Sequence, residues 1–137
     1  MATELRRVVF VLLPGTHPGC LMPALSVLLS ANRMAEELCY QIECCTLDEQ
    51  SMRAADGLLL QPSPLEQCAP GFAQLWLVAE HLSASDQLPD WLAPRLQQWQ
   101  SEGVLIGGLE GGVAALAASG LLDGGQCAVH WRMVDEF

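Results

Sequence analysis

Val8–Leu13 is apolar at every position and is closed by Pro14-Gly15. A strand with no polar face must be covered on both sides, which is the condition of a parallel sheet sandwiched between helices. Leu75–Ala79 and Val104–Leu109 read as further buried strands of the same kind. Tyr40–Leu47 sets Tyr40, Ile42, Cys44 and Thr46 against Gln41, Glu43, Cys45 and Leu47, a strand with one face partly covered. Between these runs the period changes. Leu21, Leu25, Leu28, Leu29, Met34 and Leu38 predict a helix over about Met22–Leu38. Leu92, Leu96 and Trp99 predict a second helix up to about Ser101, with Asp90 as its N-cap, Pro94 in or near its first turn and Gly103 just beyond its end. Gly111–Ser119 predicts a third, ended by Gly120.

The remaining segments read as turn-rich Ser51–Gln67 with a short strand at Leu58–Leu60, a loop at Ser83–Pro89, a turn at Leu121–Gly125 and a last strand at Gln126–Trp131. Strands alternating with helices give an α/β class with a doubly wound, mostly parallel sheet and helices on both faces. There is no internal repeat or linker, so residues 1–137 form one domain. In such sheets ligands bind beyond the carboxyl ends of the strands. That rule selects Pro14–Gly19, Glu80–Ser83, Leu109–Gly112 and the neighbourhood of His130.

Charge narrows the partners. The chain has 16 acidic and 6 basic residues, for a formal net charge of −10. The cations are all arginines, Arg6, Arg7, Arg33, Arg53, Arg95 and Arg132, and they form no patch in sequence. Displacing counterions from phosphates needs clustered cations, so the chain alone is expected to be a poor nucleic-acid binder, and the same charge argues against anionic membranes. No apolar run reaches the roughly 20 residues of a bilayer span, and Val8–Leu13 is too short for a signal-peptide core. A cytoplasmic protein is expected. Its six cysteines contain no C-x-x-C pair and are expected to be buried and reduced.

Gly107-Gly108-Leu109-Glu110-Gly111-Gly112 joins a strand directly to a helix. Glycines on both sides let the chain turn sharply, so that residue 110 projects from the bend as a nucleophile does at an elbow. The following helix N-terminus is expected to offer free N–H groups to an anion. The chain from Gly103 to Gly124, continuing through Ala128-Val129-His130-Trp131, closely resembles the amidase-like domain of AraC-type transcriptional regulators. That domain belongs to the ThiJ/PfpI group of the class I glutamine amidotransferase-like, or DJ-1/PfpI, superfamily. Val8–Gly15, Ala31-Asn32-Arg33 and Ala55-Asp56-Gly57-Leu58 resemble it too.

The resemblance implies a flavodoxin-like three-layer sandwich, here lacking a strand and a helix at the carboxyl end, and a helix-turn-helix domain absent from this chain. It also implies where the sequence departs. The family elbow usually reads Gly-Gly-Ile-Cys-Thr-Gly, so Glu110 stands where a catalytic cysteine is expected. No Asp or Glu occurs between Val11 and Ala35 to assist a thiolate, and Ala79-Glu80 replaces the usual Gly-Gly. The expected function is therefore a non-catalytic sensor or dimerisation domain of such a regulator. It would take a small-molecule effector, pair as a homodimer, and reach DNA only through another domain. The alternative is a stand-alone ThiJ/PfpI-type hydrolase, hydratase or stress protein.

The candidate pocket residues are Glu110, Gly111, Gly112, His130, Glu80, His81 and His17. Mixed carboxylates and imidazoles can hold a divalent cation, but no two share a helical face, so neither metal nor cofactor is expected. Trp131 is expected as a core anchor beside His130, and Trp76, Trp91 and Trp99 as core. Cys20 and Cys127 are expected only to pack.

Overall fold

The computed structural model describes residues 4–48, 52–53, 59–60, 62–82 and 88–136. Ala55-Asp56-Gly57-Leu58 and most of the Ser83–Pro89 loop lie outside them. Seven strands occur in the order β1 (Arg6–Leu12), β2 (Tyr40–Thr46), β3 (Met52–Arg53), β4 (Leu59–Leu60), β5 (Ser63–Pro64), β6 (Gln74–Ala79) and β7 (Leu105–Glu110). The helices are α1 (Pro18–Ala35), α2 (Leu92–Ser101) and α3 (Gly112–Ala118). Five strands form one parallel sheet in the order β5-β2-β1-β6-β7, while β3 and β4 make a separate antiparallel ribbon.

The apolar run of β1 divides its side chains between the two faces, as period 2 requires. Val8, Phe10 and Leu12 pack with Leu21, Leu25 and Leu28 of α1. Val9, Val11 and Leu13 pack with Leu92 and Leu96 of α2 and Ala115 and Leu116 of α3. Every residue from Val8 to Leu13 is buried. β2 keeps the predicted alternation, with Ile42 and Cys44 toward α1 and Cys45 and Leu47 toward the other core.

Helix α1 begins four residues before the predicted start. Pro18 sits at its first position, where a missing N–H costs nothing. Its polar entry Pro-Gly carries no apolar period, which hid it from the pattern. At the other end Glu36 takes the left-handed conformation, φ 54°. Asn32 then clamps the helix to β2: its Oδ1 accepts from Cys39 N and Tyr40 N at 3.0 and 2.8 Å, and its Nδ2 donates to Tyr40 O at 2.8 Å. Leu29, Met34 and Leu38, assigned by their spacing to the covered face, are exposed.

Five further expectations are corrected. Asp90 is not the N-cap of α2; the helix starts at Leu92 after Trp91, with no side-chain cap. Pro94 and Gly103 (φ 90°) stand as expected. β7 is a sheet edge and only partly covered, because no strand pairs on its far side among the described residues. Gln126–Trp131 is not a strand. Residues 126–130 form an irregular segment leading into a 3-10 turn at Trp131–Glu136, since among the described residues no neighbouring strand partners their backbone hydrogen bonds. Trp131 is 72% exposed, its ring met by Arg132 instead of a core. The other three tryptophans are half-buried at core margins. Finally, Cys45 and Cys68 are joined as a disulfide, because β2 and the turn after β5 meet on one face; Cys20, Cys39 and Cys44 are partly exposed and Cys127 is exposed.

Candidate functional site

The chain lays β2 and β5 to one side of β1, then crosses to place β6 and β7 on the other. The order reverses between β1 and β6, and adjacent loops leave the sheet there in opposite directions. Such a switch point opens a crevice at the carboxyl ends of the strands. Leu13 N donates to Val78 O at 2.9 Å, carrying the β1–β6 ladder to its last rung. The hydroxyl of buried Thr16 lies 2.7 Å from both Leu13 O and Val78 O and donates between them. Glu80 N donates to Gly15 O at 3.3 Å, tying the β6 loop to the β1 loop.

The elbow closes the third side. Glu110 is the last residue of β7 and has φ 50°, a left-handed conformation that costs a side-chain-bearing residue about 1–2 kcal/mol. Gly111 follows, and α3 starts at Gly112. A Cβ on Gly112 would strike the Leu77 carbonyl, and one on Gly111 would stand 2.9 Å from Leu82 N. Glycine is what lets α3 and the β6 loop come this close. Glu110 is left exposed at the tip.

The amide of Gly111 is not free for an anion. It donates to Ala79 O at 2.8 Å, extending the β6–β7 ladder past the turn. That one N–H group of the elbow is thus used inside the fold, and α3 begins after it, at Gly112.

Cys20, in the first turn of α1, faces the same crevice. Burial pushes its thiol up from the ordinary range, a hydrogen bond with the His17 backbone partly opposes that, and the carboxylates of Glu110 and Glu80 press it further up. A thiol so placed is held protonated and is a poor nucleophile. Its coupling to both carboxylates marks Cys20, Glu80 and Glu110 as one neighbourhood. Cys20 packs against the cluster of Val8 and Leu21 as expected, and its place in the first turn of α1, which a helix begun at Pro18 gives, also sets it near the crevice.

The other predicted residues divide. His17 caps α1, its Nδ1 accepting from Gly19 N at 3.0 Å, so this side chain shapes the β1 loop. His81 is exposed, and its backbone packs over both Gly15 and Gly111. His130 is exposed on the carboxyl-terminal segment. Its Nδ1 accepts from Arg132 N at 3.2 Å and its ring tilts against Trp131. Among the described residues no hydrogen bond, ion pair or ring contact joins it to Glu110 or Glu80. The structure sets Glu110, Gly111, Gly112, Glu80 and His81 side by side at the strand ends, with Cys20 in electrostatic reach of Glu110 and Glu80 and His17 bonded to its turn. Among the described residues no group of three His, Cys, Asp or Glu side chains could hold a metal ion.

No family model matches the sequence. The chain is 34% identical over its whole length to the HTH-type transcriptional regulator ArgR of Pseudomonas aeruginosa, and covers 40% of it. The HTH-type transcriptional regulator CdhR of the same organism is 33% identical over 93% of the chain, which covers 38% of that protein. The chain thus spans about two fifths of the length of these curated relatives. Among solved structures, an AraC family transcriptional regulator from Pseudomonas putida superposes with a TM-score of 0.74 at 23% identity, covering 96% of this chain and 70% of that one. A DJ-1 superfamily protein from Agrobacterium tumefaciens follows the same fold, with a TM-score of 0.66 at 22% identity over 86% of this chain and 60% of its own.

Proposed function

Because the chain is homologous along its whole length to one part of HTH-type transcriptional regulators and has a DJ-1-like fold, we propose that it is a non-catalytic, ligand-sensing domain of such a regulator. The observation that carries the reading is Glu110 at the tip of the elbow. In the family pattern a cysteine stands there. A carboxylate cannot do the work of that thiolate, and the neighbouring thiol, Cys20, is held protonated. The alternative of a stand-alone hydrolase would need a nucleophile and an oxyanion donor; the elbow residue is a carboxylate, and the Gly111 amide is already bonded to Ala79 O.

What the crevice does offer is charge. Glu110 and Glu80 stand near each other at the carboxyl ends of β7 and β6, beside the Gly15 turn. The proposed effector is a small cationic or hydrogen-bond-donating metabolite, held at Glu110 and Glu80 with His81 and His17 at the rim. DNA would be contacted by another part of the protein, since this chain is acidic and its arginines are dispersed. No helix among the described residues is long and apolar enough to cross a membrane, and the cytoplasm is the proposed place of action. Homodimerisation belongs to the same proposal. Val27 and Met34, seven residues apart on α1, are 68% and 86% exposed and offer an apolar surface to a second copy.

Calorimetric titration with small amines and amino-acid-derived amines tests the effector. Saturable binding is expected, weakened at least about tenfold in Glu110→Gln, the loss typical of a charge-assisted hydrogen bond. Equal affinity in wild type and Glu110→Gln would overturn the assignment.

A further inference from the structure

A second cavity lies away from the elbow, between α2 and the segment joining β5 to β6. It holds about 310 Å³ and shares no lining residue with the crevice. One wall is a single stripe of α2: Trp91, Arg95 and Trp99, each four residues from the next and therefore stacked along one face. The opposite wall is Leu65 and Phe72, both buried, with Glu66 at its edge.

Both walls are fixed before any ligand arrives. Phe72 meets the Trp99 ring edge-on, with centroids 5.1 Å apart. Arg7 holds the connecting loop by donating from NH1 to Ala69 O and Pro70 O, at 3.0 and 2.8 Å, while its other nitrogens pair with Glu43. Ala73 N donates to Arg7 O at 2.8 Å and anchors the loop's far end. Among the described residues Arg95 pairs with no carboxylate. Its guanidinium lies 5.0 Å over the Trp99 ring, and NH1 donates to the neutral Gln98 Oε1 at 3.0 Å. A guanidinium carries five donors in a fixed fork suited to a carboxylate, so most of its capacity points elsewhere.

A preformed apolar cavity with a few placed polar groups is the usual form of a small-molecule site. Here the polar groups are of both signs, Arg95 and Glu66, on an aromatic lining. We propose that this cavity binds a small zwitterion with a flat apolar body, of the aromatic amino-acid class, its carboxylate on Arg95 and its ammonium toward Glu66. The ring would lie against Trp91 and Leu65, beside the Phe72–Trp99 contact. Such a ligand would report on the position of α2, which packs against β7, the strand that carries Glu110. The cavity is independent of the effector reading at the elbow and stands or falls separately.

The test is a titration of the 15N-labelled protein with L-phenylalanine, following the four indole N–H resonances. Saturable shifts of Trp91 and Trp99 are expected, with Trp76 and Trp131 unmoved. Arg95→Gln is expected to weaken binding at least about tenfold, as a lost charge-assisted pair does. Both side chains are exposed, so the variants fold and their spectra verify it. 3-Phenylpropionate, lacking the ammonium, should bind equally to wild type and Glu66→Gln, and phenethylamine equally to wild type and Arg95→Gln. Glu110→Gln should leave the titration unchanged. Absence of saturable shifts, shifts shared by all four indoles, or an affinity untouched by Arg95→Gln would each overturn the proposal.

Discussion

At nearly every position alanine is more stabilising than glycine, by about 0.5–1 kcal/mol, because glycine loses more backbone freedom on folding. Residue 110 should reverse that order. Its φ of 50° places a side-chain-bearing residue in the left-handed region, where the Cβ penalty is about 1–2 kcal/mol. Comparing Glu110→Gly with Glu110→Ala isolates this term. Both variants remove the same carboxylate, and residue 110 is exposed, so little burial is lost in either. The difference between penalty and entropy leaves glycine ahead by about 0.5–1 kcal/mol. With unfolding entropies near 2 cal/mol/K per residue, a chain of 137 residues has a total of about 0.3 kcal/mol/K. The glycine variant should therefore melt about 2–3 °C above the alanine variant. Differential scanning calorimetry resolves that, and urea midpoints at equal m-value give an independent reading. Should alanine melt at or above glycine, residue 110 is not strained in solution and the elbow geometry is wrong.

Two further outcomes follow from other parts of the fold. Asn32→Ala removes three hydrogen bonds that join the end of α1 to the start of β2 and exposes two backbone N–H groups to poorer partners; a loss of about 1–3 kcal/mol is expected in chemical denaturation, and a loss below about 0.5 kcal/mol would show the clamp to be dispensable. Burial raises the Cys44 thiol above its ordinary value of 9.0, so the folded state prefers it neutral while the unfolded chain ionises first. Its contribution is complete below pH about 9 and is lost as pH rises through the folded value. Stability should thus fall on the alkaline side less steeply in Cys44→Ala than in wild type, and at pH 8 a thiol reagent should modify exposed Cys127 well before Cys44; the reverse order of labelling would contradict the burial.

The sheet was legible because burial on both faces is a local property. Val8–Leu13 needs no partner in view to declare that helices cover it twice, and the aliphatic strands of the core fell within a residue or two of their places. The elbow was legible for a similar reason, since Gly111 and Gly112 answer to backbone contacts that any strand-to-helix turn of this sharpness makes. What failed were relations between distant segments. Gln126–Trp131 holds a short apolar run of strand length, but a strand also requires an edge that accepts it, and composition holds no record of edges. Trp131 looked like an anchor by its size, and its environment depended on the same missing partner. Cys45 and Cys68 are 23 residues apart, and only the placement of β5 beside β2 brings them together.

The same distinction bears on function. A glutamate at the elbow could be read from the sequence as the absence of a nucleophile. The fold adds that the Gly111 amide is bonded to Ala79 O, and that the nearby Cys20 thiol is pressed toward its neutral form by burial and then by Glu110 and Glu80. Restoring the sulfur alone by Glu110→Cys would therefore not restore chemistry of the family type. An elbow that keeps the strain of a left-handed residue while holding a carboxylate outward spends folding stability on the position of one negative charge. Strain of that kind is maintained where the side chain's placement matters, and a carboxylate so placed, with a second one beside it, is suited to holding a cation rather than to attacking a carbonyl.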